Sequence, residues 1–210
     1  GRLRPGSIGQ AAEGVELRID QSTGELLMRG PNVFMGYLHQ PGKTAETIDA
    51  DGWLHTGDVG RVDAEGFFTI TDRMKDIIIT AGGKNITPSE LENELKFSAY
   101  ITDAVVIGDR RPYLTAIVMI DLENVERYAQ DRDVAFSNYT SLTRAPEVQE
   151  LIQTEIERVN RKFARVEQIK KFFLLETQLG AEDDELTPTM KLKRKFVERK
   201  YAERIEALYR

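Results

Sequence analysis

Apolar and polar residues alternate along Val15-Glu16-Leu17-Arg18-Ile19, the period of two expected of a strand with one buried face. Glu25-Leu26-Leu27-Met28 follows the turn residues Ser22-Thr23-Gly24 and predicts a second strand. Gly66-Phe67-Phe68-Thr69-Ile70 and Asp76-Ile77-Ile78-Ile79-Thr80 read as two more, while Asp51 to Asp58, ahead of both, reads as a turn-rich loop. After Gly83 the pattern changes to mixed helix and strand. Thr87-Pro88-Ser89-Glu90 predicts a capping box, with Thr as N-cap, Pro at the first helical position and Glu three residues after the cap. Leu91 and Leu95 then share one helix face. The apolar runs Ala104 to Ile107 and Leu114 to Ile120 predict buried strands, broken by Gly108 and Pro112. A helix is predicted from about Pro146 to Phe163, and a last one from about Leu192, with Phe196, Val197, Tyr201, Ile205 and Leu208 on one stripe. No internal repeat appears. These elements predict an α+β chain: a small β-rich subdomain at residues 1–74, then an α/β domain at residues 75–210 with a mixed sheet and flanking helices. The change of pattern falls near residues 72–76.

Composition narrows the function classes. The chain has 210 residues, room for one large domain or two small ones. It has no cysteine, which excludes disulfides, thiolate metal sites and a Cys nucleophile, and its two histidines are too few for a histidine-rich metal site. The net charge of −6 argues against general nucleic-acid binding. No stretch approaches the roughly 20 apolar residues of a spanning helix. A reducing cytoplasm fits these facts. The chain starts at Gly1, without an initiator methionine, which a truncated chain explains better than a natural start.

Four segments carry candidate chemistry. In Trp53-Leu54-His55-Thr56-Gly57-Asp58 a carboxylate follows a glycine, placed either to accept hydrogen bonds from a ribose or to bond its own turn backbone. Arg73, in Asp72-Arg73-Met74-Lys75-Asp76, offers a planar fork of donors for a ribose or phosphate oxygen, or an exposed ion pair with Asp72 or Asp76. Ala81-Gly82-Gly83-Lys84-Asn85 lacks the spacing of a phosphate-binding P-loop and suits either a ligand running along the backbone or a hairpin turn. Residues 191–200 hold six basic side chains against one acid, Glu198. Such a run reads as a solvated helix face, a lysine reaching into a site, or a peripheral contact with an anionic membrane surface. Trp53 and His55 read as packing and loop residues, with no second base nearby.

The order of these segments resembles the adenylate-forming superfamily, which includes acyl-CoA synthetases, luciferases and peptide-synthetase adenylation domains. Gly24 to Pro31 with Met35-Gly36-Tyr37, Trp53 to Asp58, Asp72 through Glu92, and Pro188 to Arg194 resemble four ordered segments of that family, covering nearly the whole chain. The resemblance implies that Asp58 and Arg73 hold the ribose of ATP or the acyl-adenylate, that Lys75 is a hinge, and that Gly82 and Gly83 line the pantetheine channel of CoA. It implies that Lys191 is the catalytic lysine bridging carboxylate and α-phosphate. The family usually has glycine before that lysine. Here Met190 stands there, which leaves Lys193 as the alternative, although long-chain acyl-CoA synthetases resemble this sequence in lacking the glycine. The implied substrates are a fatty acid, ATP and CoA, with Mg2+ and the phosphate-binding loop outside these residues. Rival readings are a fatty-acyl-AMP ligase that delivers to a carrier protein, a peptide-synthetase adenylation domain, and a non-catalytic α/β binding module. The double glycine favours CoA over a carrier, and the terminal segment lacks the peptide-synthetase pattern.

Overall fold

The computed structural model describes residues 3–179, 182–189 and 191–210. The chain divides into two compact units, Gly1–Ile77 and Ile78–Arg210.

The first unit is an antiparallel sheet of four strands in sequence order: β1 (Glu16–Ile19), β2 (Glu25–Arg29), β3 (Leu54–Val62) and β4 (Phe68–Arg73). Leu26, Leu27, Trp53, Phe67 and Phe68 form its buried apolar set. Helix α1 (Pro41–Thr47), between β2 and β3, buries none of its residues. Thus the stretch from Leu54 to Asp58 is strand rather than loop. Its glycines explain the misreading: Gly57 has φ +70, and the β3–β4 register shifts between Val59 and Gly60. A bulge there adds one residue to β4 and re-aims the side chains beyond it. Only glycine fits at position 60, because a Cβ would lie 2.7 Å from the Thr69 carbonyl oxygen. The unit ends in a 3-10 turn, Met74–Asp76.

The second unit opens with a two-stranded ribbon, β5 (Ile78–Ile79) and β6 (Asn85–Ile86). The strand expected from Asp76 is therefore shorter, because residues 74–76 turn instead. Helix α2 (Pro88–Lys96) starts where Pro88 predicts, yet the Thr87 side chain makes no capping bond. The capping box is not formed. A mixed three-stranded sheet follows, ordered β7 (Ile101–Ile107), β8 (Leu114–Ile120), β9 (Ile169–Leu174), with β8 antiparallel to β7 and parallel to β9. Helices α3 (Leu122–Gln130), α4 (Tyr139–Arg144) and α5 (Pro146–Asn160) supply the crossover between the parallel pair.

Successive residues of these strands point to opposite faces, and both faces are covered. Ala116, Val118 and Ile120 enter one core with Leu91 and Leu95 of α2 and Ile152 and Ile156 of α5. Ile117 and Met119 enter the other with Phe173, Leu186, Val197 and Ile205. Burial on both sides is why β8 reads as an unbroken apolar run rather than an alternation. The last helix begins at Arg194 rather than Leu192, as α6 (Arg194–Lys200), and continues as α7 (Ala202–Leu208) after Tyr201 leaves helical geometry.

Candidate functional site

In the first unit the segments of β2 and β3 lock together through Glu25. Its Oε1 accepts the Gly57 N–H at 2.9 Å, and its Oε2 lies 2.9 Å from His55 Nδ1. The Thr56 hydroxyl donates to the Leu26 carbonyl at 2.7 Å and its oxygen accepts the Asp58 N–H. Asp49 stands 3.7 Å from His55 Nε2. Hydrogen bonds from the backbone, that of Trp53 foremost, hold its carboxyl below the usual range. His55 is thus flanked by two carboxylates, contrary to the expectation of an isolated loop histidine.

This frame positions Asp58 on β3 directly opposite Arg73 on β4. Arg73 Nε and Asp58 Oδ1 are 3.0 Å apart, with the arginine side chain 60% exposed and the aspartate 19%. The guanidinium thus pairs across the strands with Asp58, while the Arg73 N–H donates to Asp72 Oδ1 at 2.8 Å. The pair leaves the second Asp58 oxygen and the outer guanidinium nitrogens as an acceptor–donor edge of the kind that fits vicinal hydroxyls. Lys75 follows on the exposed 3-10 turn.

In the second unit Gly82 and Gly83 sit in a closed turn. The Gly83 N–H donates to the Thr80 carbonyl at 2.8 Å, the Lys84 N–H reaches the Thr80 hydroxyl at 3.2 Å, and the Ala81 N–H donates to the Arg111 carbonyl at 2.9 Å. Gly83 has φ +76, so this turn needs it; a Cβ there would meet nothing within 4 Å, and one at Gly82 only the Thr80 hydroxyl at 3.9 Å. The turn borders a groove of about 280 Å³ that also includes Lys84, Tyr113, Arg165 and Lys170.

Lys191 lies on a separate hairpin in which Leu186 bridges Leu192. The Lys191 N–H donates to the Thr187 hydroxyl at 3.1 Å and its carbonyl accepts the Thr187 N–H at 2.8 Å. Among the described residues its exposed ammonium has no partner. Lys193 differs, since its ammonium donates to the Asp184 carbonyl at 3.1 Å. Met190 lies outside the described residues.

The basic run beyond is not uniformly solvated. Arg194 is only 18% exposed and donates to the Val106 carbonyl at 2.5 Å and to Glu92 Oε1 at 2.6 Å. Burial pushes the Glu92 carboxyl above the usual range against the opposing pull of Arg194. Lys200 pairs with the buried carboxylate of Glu185, whose hydrogen bond raises the lysine further. Asp103, 6% exposed on β7, was not legible as a site residue. A lone acid in an apolar run was the available signal. Among the described residues, no three His, Cys, Asp or Glu side chains are grouped to hold a metal ion. Nor is any helix among them long and apolar enough to cross a membrane.

The AMP-binding enzyme C-terminal domain family matches residues 75–210. The chain belongs to this family. A long-chain-fatty-acid–CoA ligase of Mycobacterium tuberculosis, FadD15, is 42% identical over 208 residues, covering 99% of this chain and 34% of the relative. The human long-chain-fatty-acid–CoA ligase ACSBG1 is 37% identical over 232 aligned positions, covering all of this chain and 31% of its own length. The adenylation domain of a carboxylate reductase from Mycobacterium chelonae superposes with a TM-score of 0.72 at 28% identity, over 96% of this chain and 31% of that one. The mixed α+β architecture is therefore that of adenylate-forming enzymes. The chain spans about a third of the length of the curated relatives it matches.

Proposed function

We propose that these 210 residues act as the carboxyl-terminal third of a fatty-acid:CoA ligase, with residues 1–74 belonging to its large domain and residues 75–210 forming a mobile one. The observation that carries this reading is the pairing of Asp58 with Arg73 across β3 and β4, in a chain whose relatives are named long-chain-fatty-acid–CoA ligases. Asp58 and Arg73 hold the ribose hydroxyls of ATP and then of the acyl-adenylate. Lys191 bridges the fatty acid carboxylate and the α-phosphate, lowering the cost of bringing two anions together. The carboxylate attacks the α-phosphorus and pyrophosphate leaves. The small domain then turns about Lys75, which withdraws Lys191 and brings Gly82 and Gly83 to the pantetheine arm. The CoA thiolate attacks the acyl carbon and AMP leaves. Separate conformations let one pocket complement two transition states in turn. The division of the chain after Ile77, two residues past Lys75, supports the hinge. The Lys191 ammonium, without a partner among the described residues, and the engaged one of Lys193 support the choice between the two lysines.

Mg2+ and the grip on the phosphates belong to residues outside this chain, as does the acyl pocket. The exposed side chains of Met35 and Leu38 support a first unit that is covered in a longer protein. The enzyme works in the cytoplasm, and the exposed cations of the run 191–200 form a solvated helix face. The double glycine at 82–83, with Gly83 in the left-handed region, supports CoA over a carrier protein as acceptor. The 210-residue chain alone releases no pyrophosphate from ATP and palmitate, and release would overturn the division of labour. AMP and thioester formation by the full-length enzyme, supplied with CoA and fatty acids of several lengths, tests the activity itself. Thioester formation with none of them would sink the assignment.

A further inference from the structure

The backbone of Lys191 and of the two residues after it is held by groups that the reaction itself does not use. Within the hairpin, Thr187 clasps Lys191 through both its hydroxyl and its N–H. One residue on, the Leu192 N–H donates to Asp103 Oδ2 at 2.8 Å. The other oxygen of Asp103 accepts the Ala104 N–H at 2.9 Å and lies 3.4 Å from the Lys96 ammonium. The Lys193 N–H then donates to the Glu185 carbonyl at 2.7 Å. A buried carboxylate that spends one oxygen on a single N–H of a surface hairpin is an expensive way to hold a loop. The backbone at Leu192, next to Lys191, is thereby tied to the edge strand β7. We propose that Asp103 and Thr187 are positioning residues for Lys191, fixing its own backbone and that of Leu192 so that its ammonium meets the developing charge. The proposal rests on the reading that Lys191 acts in adenylation and not in transfer to CoA.

In the full-length enzyme, Asp103→Asn leaves one accepting oxygen for two N–H groups, and Thr187→Val removes the acceptor for the Lys191 N–H. Misplacement of a charged group by about 1 Å costs on the order of 10- to 100-fold. Both variants are therefore expected to lower kcat for fatty-acid-dependent ATP–pyrophosphate exchange by about 10- to 100-fold. KM for ATP and the transfer of acyl from added acyl-adenylate to CoA stay unchanged, because Lys191 is withdrawn for that step. Thr187→Ser keeps the accepting oxygen and restores most of the exchange rate. Loss of both half-reactions together in both variants would show a role in folding alone and overturn the proposal. So would full exchange activity in both variants beside an inactive Lys191→Ala. An active Lys191→Ala would bring down the reading of Lys191 itself. Should Asp103→Asn not fold, Thr187→Val and Thr187→Ser decide the matter, since that hairpin is at the surface.

Discussion

Replacing Glu92 with alanine tests whether the end of the chain is tied into the second unit as the geometry implies. One carboxylate oxygen, Oε1, accepts both the Val106 N–H at 2.8 Å and the Arg194 guanidinium at 2.6 Å. Glu92 and Arg194 side chains are 12% and 18% exposed, so neither loss is made good by water. Removing one member of a buried pair costs about 3–5 kcal/mol, because the remaining charge keeps its burial without its partner. Chains of this size lose roughly 2–4 °C of Tm per kcal/mol, so the midpoint of Glu92→Ala falls by about 10 °C. Glu92→Gln keeps an accepting oxygen and removes only the charge. Since folding raises the Glu92 pKa, the folded state binds the proton more tightly than the unfolded one. The stability this gives is complete below the unfolded value near 4.5 and is lost as pH rises through the folded value. The Tm of Glu92→Gln relative to wild type therefore rises as pH is taken from below 4.5 to neutrality. Thermal unfolding of the 210-residue chain across that range measures both effects. A shift under about 2 °C for the alanine variant, where several kcal/mol are predicted, or a pH trend of opposite sign would refute the reasoning.

Gly60→Ala drives a Cβ to 2.7 Å from the backbone oxygen of Thr69 and must spread β3 from β4. A cost of about 1–3 kcal/mol is expected, read as lowered Tm, and an unchanged Tm would contradict the bulge. Tyr139 has a buried hydroxyl that makes no well-formed hydrogen bond among the described residues, only a weaker interaction with the Ile120 backbone, and burial pushes its pKa up to about 12. Tyr139→Phe is therefore neutral or stabilising by about 1 kcal/mol, and the difference in phenolate absorbance between the two proteins appears only near pH 12. A variant destabilised by more than about 1 kcal/mol would show that the interaction with the Ile120 backbone outweighs the cost of burying the hydroxyl.

Much of the fold was legible because periodicity and burial coincide. The run Leu114 to Ile120 announced a strand covered on both faces, and Pro88 with Leu91 and Leu95 announced α2. Elements without an apolar signature were not legible, as with α1, which buries nothing. β9 (Ile169–Leu174) is broken by Lys170 and Lys171, which are exposed between buried ends. The stretch from Leu54 to Asp58 looked like a loop because its glycines serve a bulged strand, a distinction that depends on the neighbouring strand. The site follows the same division. Asp58 and Arg73 were each singled out as candidates from their segments, but their pairing arises from the β3–β4 register. Arg194 looked like one more surface cation because the group that buries it, Glu92, lies about a hundred residues earlier in the chain. Asp103 was hidden for the same reason.

The central claim is that Lys191 serves the first half-reaction and Asp58 with Arg73 holds the nucleotide through both. The most direct measurement compares the two half-reactions in the full-length enzyme carrying Lys191→Ala. The account predicts that fatty-acid-dependent ATP–pyrophosphate exchange falls by at least about 100-fold, as for loss of a single charge-stabilising group, while acyl transfer from added acyl-adenylate to CoA continues at the wild-type rate. Unchanged exchange in that variant would contradict it.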